Sequence, residues 1–404
     1  MRVRATETLY FLIAFILFSY VFLRVVIPYQ LADIALLSLL LFLSSTLRYS
    51  RKQFLPLTFL GLFVLSLMVS ALVNLSVDIL DFVRVFSYIT LLALLLGLTN
   101  YFILNEKNFF SVLNIFLLMT AIYFLFALFA IVLFYTGKDL MIFKSWLYVR
   151  GGERARLQGL FDNPNYFSFS VFVVSLISFY LWRAKRASVL FFMVFTITGL
   201  ATFSRGYAVG LLIFIFLYIS LLFSAKLYGN NFKNIRLKSK TIINFFIFSS
   251  LIILGFKLIS EIASDNELLF RMILHRVQDG GGGAEARFES ITNWYVYGSS
   301  GIKQIIFGNG TGFFRYYSFA NEDAHNSFLR IFGEYGLLSL ILFMAILIIF
   351  ALNNIKFNKF SIYSASSLLS LIVVMFTNDY FLVRDFWLLL FFIYFVTHIP
   401  QVAR

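Results

Sequence analysis

Apolar runs of about 20 residues, broken by short polar joints, follow one another along almost the whole of this chain. A run of that length matches the ~30 Å hydrocarbon core of a bilayer. Within lipid, a single such run can satisfy its backbone N–H and C=O groups by coiling into a helix. Twelve runs are predicted as helices, at 8–27, 31–47, 55–74, 82–104, 109–135, 165–182, 187–204, 206–224, 241–260, 326–352, 361–377 and 384–400. With 61% hydrophobic residues, 54 phenylalanines and a mean hydropathy of +0.90, the chain lacks the polar surface of a soluble protein. The expected fold is all-α, a polytopic transmembrane helical bundle forming one integral membrane domain over 1–404. The first run is too long for a signal-peptide core and no small-residue cleavage site follows it, so it reads as a retained helix.

The charge of +14 is a topology signal. Alternate joints are basic and nearly free of acids: Arg2/Arg4, Arg48/Arg51/Lys52, Lys107, Arg183/Lys185/Arg186, Lys226 to Lys240, Lys356/Lys359 and Arg404. By the positive-inside rule these joints, and both termini, are cytoplasmic. They carry +15, which leaves −1 for everything on the other side, and this distribution removes nucleic acid as a partner. Twelve of the 20 arginines are assigned outside, but only four of the 13 lysines. Lysine is sufficient for topology, whereas the permanently charged guanidinium fork suits capture of phosphate or carboxylate. The outer face is therefore expected to meet an anionic ligand. Two outer segments are long, 136–164 and 261–325, and both are expected to lie on the membrane surface. The second contains Gly280–Gly283, which reads as a hinge or mobile strap.

Four outer clusters carry candidate chemistry. In the first, Arg150, Arg154 and Arg156 precede Gly159, Asp162, Asn163, Pro164 and Asn165. Asp162 or Asn163 before Pro164 resembles a helix N-cap with Pro at N1, which aims backbone N–H groups and a positive dipole end at the outer surface. The second is Ser204-Arg205, in a joint of almost no length, where an arginine near headgroup level is a functional candidate. The third is Arg287, with Trp294 and the turn-like Gly308, Gly310 and Gly312 beyond it. The fourth is His325-Asn326, with Arg330 and Glu334 at successive four-residue steps on one helical stripe. Arg330 and Glu334 can pair to reduce the cost of burial, while His325, with a pKa near neutrality, suits a base. Arg84, Asp379, Arg384 and Asp385 stand at the same level as supporting or interfacial residues.

Cys is absent, so there is no disulfide framework, thiol nucleophile or Cys-based metal site. The outer acids form no tight pair and only one His is well placed, so neither a metal nor another cofactor is expected.

Taken in order, R-x-x-G-x-F-x-N-P-N (Arg156, Gly159, Phe161, Asn163, Pro164, Asn165), Ser204-Arg205, Arg287, Trp294, the 308–312 glycines, His325-Asn326 and Glu334-Gly336 resemble the O-antigen ligase/polymerase superfamily. Its members include Wzy-type polymerases and WaaL-type ligases. The resemblance covers roughly 150–337. It implies an undecaprenyl-diphosphate-linked glycan donor and a glycan acceptor, joined on the periplasmic face of a bacterial inner membrane without nucleotide sugar or metal. It implies His325, Arg205 and Arg287 as catalytic residues. Arg156, Arg154, Asn163, Asn165, Asn326, Arg330, Glu334 and Arg84 would line the substrate. Membrane lipids and a chain-length-regulating co-polymerase are the implied partners.

A Wzy-type polymerase is the leading reading, with a WaaL-type ligase acting on lipid A core as the alternative. The R-x10-G spacing described for polymerases is met by Arg287 and Gly298, but Arg150 reaches Gly159 after only eight residues. From another class, a lipid-linked glycan or solute transporter would place its polar residues near the bilayer midplane. Here they gather at one interface.

Overall fold

A computed structural model describes residues 10, 13–15, 17–18, 51–74, 89–90, 92–93, 95–97, 99, 106–136, 146–150, 154–161, 163–184, 187–228, 290–317, 324, 326–352, 359–376, 379–380 and 383–398. These residues are mostly helical. Ten α-helices are named here: α1 (Arg51–Asn74), α2 (Glu106–Tyr135), α3 (Pro164–Arg183), α4 (Val189–Ala201), α5 (Arg205–Tyr228), α6 (Ile302–Phe307), α7 (Phe313–Tyr317), α8 (Ser327–Leu352), α9 (Lys359–Met375) and α10 (Arg384–His398). Five of them, α1, α2, α3, α5 and α8, are long and apolar enough to cross a membrane; α4, α9 and α10 are apolar but shorter. The predicted runs at 8–27 and 82–104 are helical where described, and those at 31–47 and 241–260 lie outside the described residues.

One element departs from the all-α expectation. Leu147–Arg150 (β1) and Arg154–Leu157 (β2) form an antiparallel hairpin within the 136–164 segment. The local pattern explains it. Leu147 pairs with Leu157 and both are buried, so the ladder is anchored by two apolar side chains on one face.

Helix α3 forms the centre, with every described residue from Phe167 to Leu181 buried. It packs against α4, α5, α10 and β2. A helix apolar on all sides belongs inside, and its serines solve the remaining polar problem locally. Ser168, Ser175 and Ser178 donate to the carbonyls of Asn165, Val171 and Ser175, three or four residues back. Small polar residues also let neighbouring helices approach closely and bond across lipid-like surroundings. Tyr363 Oη on α9 donates to Leu176 O on α3 at 2.6 Å, and Ser339 Oγ on α8 donates to Ser66 Oγ on α1 at 2.9 Å.

Helix α8 is broken. Gly336 has φ 85 and ψ 176, so the hydrogen-bond ladder opens ten residues into the helix. The freed carbonyls are taken up by the turn after α6. Asn309 N donates to Gly333 O at 2.9 Å and Gly310 N to Glu334 O at 3.0 Å. Ser70 Oγ, near the end of α1, also donates to Glu334 O and to Phe307 O. Gly308 (φ 76) and Gly336 face each other backbone to backbone, and a Cβ on either would strike the other strand of the crossing. Non-helical backbone at membrane depth is tolerated where protein satisfies it in this way.

Candidate functional site

The R-x-x-G-x-F-x-N-P-N run builds a corner in which each residue has a physical task. Asn163 has extended backbone (φ −137, ψ 125) and its side chain accepts from Asn165 N at 2.8 Å, so it is the N-cap of α3, with Pro164 next. Phe161 is buried and packs against Phe167, with ring centroids 5.5 Å apart. Gly159 (φ 59) lies against Tyr123 of α2, whose Oη accepts from Leu160 N at 2.8 Å. These contacts fix the chain between the hairpin and α3.

Arg156 leaves β2 and ties the corner together. Its Nη2 donates to Asn165 Oδ1 at 3.1 Å, in the first turn of α3. Its Nε donates to the carbonyl of Thr202 at 3.2 Å, the residue that ends α4. Three residues later in sequence is Arg205, which is exposed and opens α5. Ser204 Oγ accepts from Tyr207 N, so it caps that helix. Between Thr202 and Ser204 stands Phe203, with φ 52, the one non-glycine residue at positive φ among those described. Such a backbone costs on the order of 1–3 kcal/mol and is retained where the surroundings enforce it.

The corner therefore sets the Arg156 guanidinium, with the Arg205 position close by in the chain, among the N-termini of α3 and α5. Both features favour negative charge. The hairpin extends the pattern, because Tyr148 pairs with Arg156 and Arg150 with Arg154, so positions 148, 150, 154 and 156 share one face of the ladder.

A third helix N-terminus belongs to the same end of the bundle. Asn326 Oδ1 accepts from Phe328 N at 2.9 Å and Leu329 N at 3.1 Å, capping α8. Ser327 Oγ accepts from Tyr380 N at 2.8 Å, and the ring of Tyr380 stacks on Phe169 of α3 at 4.1 Å. Phe169 is one turn below Asn165, the partner of Arg156. The start of α8 is thus joined to the arginine corner through two side chains.

Arg330 and Glu334 do pair as the stripe predicts, and they recruit a third member. Arg330 Nε donates to Glu334 Oε2 at 3.0 Å and Nη1 to Asp379 Oδ2 at 2.5 Å. Glu334 Oε1 accepts from Gly312 N at 3.1 Å. Arg330 and Glu334 are fully enclosed and Asp379 is 2% exposed, so this network holds α8, the glycine turn and the 379–380 segment in one arrangement. A separate buried acid, Asp385 on α10, accepts from Ser170 Oγ on α3.

Of the residues singled out in the sequence, the structure brings Arg156, Asn163, Asn165 and Arg205 into one corner. It gives Asn326 a capping role and places Arg330 and Glu334 in the enclosed network. Arg154 is placed by its backbone in β2, opposite Arg150. Arg84, Arg287 and His325 lie outside the described residues. Sequence reading missed the hairpin, Thr202, Tyr123 and Tyr380. The hairpin had a signal in the alternation of LYVR and RARL about Gly151-Gly152. Thr202 had none, because it acts through its carbonyl. Among the described residues no three His, Cys, Asp or Glu side chains gather to hold a metal ion. No protein-family model matches the chain, and no curated protein matches it in sequence.

Proposed function

We propose that the chain is a glycosyltransferase that extends or transfers a glycan carried on undecaprenyl diphosphate, working at the periplasmic face of a bacterial inner membrane. One observation carries the reading: Arg156, bonded to both Asn165 and Thr202, draws two helix N-termini and the exposed Arg205 into one corner. Fixed cationic groups of this kind suit a diphosphate whose charge grows as it leaves. In the proposed step an acceptor hydroxyl attacks the anomeric carbon of the donor glycan, and the bond from that carbon to the diphosphate oxygen breaks. His325, adjacent in sequence to the cap of α8, takes the hydroxyl proton, and undecaprenyl diphosphate departs. Arg205 and Arg287 stabilise the departing diphosphate, with Arg154 and Arg84 in supporting contact. Arg330 and Glu334 act by fixing the first turns of α8. The step uses no cofactor.

Polymerisation of repeat units, in the manner of Wzy-type enzymes, is the leading form, with a chain-length-regulating co-polymerase as a partner. Transfer to lipid A core, in the manner of WaaL-type ligases, is the alternative. The break in α8 has a counterpart in transporters, where unwound segments leave carbonyls open to a ligand. Here those carbonyls accept from Asn309 N, Gly310 N and Ser70 Oγ, which favours a rigid site over a transport path. The test is to offer purified protein an undecaprenyl-diphosphate oligosaccharide with and without lipid A core. A ladder from the donor alone supports the polymerase and transfer only with core supports the ligase. Turnover of neither argues for transport.

A further inference from the structure

The segment before the glycine turn carries an apolar surface that no function has yet absorbed. On α6, Ile302 is 76% exposed and Ile306 38%, and their four-residue spacing puts them on one stripe, with the exposed Lys303 beside them. Seven residues earlier in the chain than Ile302, Tyr295 is 72% exposed in the Trp294–Gly298 segment. The question is whether water or lipid covers these side chains.

Depth decides it. Beyond the break, Leu337–Leu352 is a helix of 16 residues, about 24 Å at 1.5 Å per residue, against a core of about 30 Å. That half of α8 alone falls about 6 Å short of crossing, so the hydrocarbon continues past Gly336 into the Ser327–Tyr335 half. Ile306 presses its carbonyl against Gly336, so the C-terminal end of α6 lies at that level. Trp294 packs on Phe332, ring centroids 4.6 Å apart, one turn of α8 nearer the tip. Tyr and Trp thus stand above Ile, the order found across a membrane interface. The two helices it packs against are themselves apolar on their exteriors: Leu72 of α1 is 73% exposed, and Leu338 of α8 is 42% exposed.

We infer that α6 is a half-inserted element whose Ile302/Ile306 stripe is covered by acyl chains of the leaflet at the α8 N-terminal face, with Lys303 reaching up to headgroups. This makes the turn that locks the α8 break a lipid-anchored part, and it depends on the membrane orientation of α8, not on the chemistry proposed above.

The absence of cysteine makes the test direct. Single variants Ile302→Cys and Ile306→Cys of the full chain, in lipid nanodiscs, take a nitroxide label whose collisions with oxygen and with a water-soluble nickel chelate are compared. Leu72→Cys serves as the lipid standard and Lys107→Cys, at an exposed joint position, as the aqueous one. The oxygen-to-nickel ratio at both α6 positions is expected to match Leu72→Cys and to exceed Lys107→Cys severalfold. A ratio like that of Lys107→Cys would overturn the inference, and so would low collision with both reagents, which would mean protein covers the stripe. The unmodified chain gives an independent measurement: a carbene generated from a lipid-partitioned diazirine should mark the peptide containing 302–306, and its failure to do so would count against the inference.

Discussion

The ring of Tyr380 lies parallel to that of Phe169, 4.1 Å away and tilted by 12°, while its backbone N–H donates to Ser327 Oγ. This one residue joins the start of α8 to the centre of the bundle, a turn below the arginine corner.

Tyr380→Ala is expected to destabilise the protein by about 3 kcal/mol, since it removes a large side chain that is 1% exposed. Thermal unfolding in detergent measures this. Tyr380→Phe keeps the stacked ring and should cost less than Tyr380→Ala.

Arg330 stands between Glu334 and Asp379 with no solvent to screen it. Removing one member of a buried ionic network leaves the others uncompensated, so Arg330→Ala should cost about 3–5 kcal/mol. Arg330→Lys is expected to rescue little, because one ammonium cannot reproduce two divergent N–H bonds. Equal stability of the Lys variant and the parent would remove the fork from the account.

Gly336→Ala and Gly61→Ala form a matched pair. At Gly336 a Cβ meets the carbonyl of Ile306 on a backbone with φ 85, so Ala should destabilise by about 2–3 kcal/mol. At Gly61, inside α1, nothing lies within 4 Å, and Ala should stabilise the helix by up to about 1 kcal/mol. Opposite signs in the two melting shifts are the expected result.

Arg156→Lys should abolish most transfer activity, because Lys keeps the charge but replaces the separated Nε and Nη2 donors, which reach Thr202 and Asn165, with a single nitrogen. Gel analysis of glycan products against the parent reads this, with the Asn165→Ala variant expected to lose activity in the same direction. Full activity of Arg156→Lys would mean that charge alone, and not the bridge, is required.

Much of this architecture is legible in the chain, for particular reasons. Helix lengths follow from the bilayer, so α2, α3, α5 and α8 start and end within a few residues of the apolar runs. The Asn163-Pro164 cap is local chemistry and could be read directly. The Arg330–Glu334 pair follows from helical spacing. What stayed hidden is long-range. Arg156 meets Thr202 across 46 residues and Arg330 meets Asp379 across 49, and no periodicity encodes such partners. The break at Gly336 was also invisible, since Gly within an apolar run reads as ordinary helix until the turn at Gly308 is brought against it.

The most direct test of the central claim is transfer of glycan from an undecaprenyl-diphosphate oligosaccharide by the parent, Arg205→Ala and His325→Ala, each checked for unchanged helix content and melting temperature. Arg205 is exposed, so its loss should leave the fold intact. The account predicts product from the parent, loss of product in both variants, and donor binding that weakens for Arg205→Ala but survives for His325→Ala. Undiminished product from Arg205→Ala, or none from the parent with any acceptor, would contradict it.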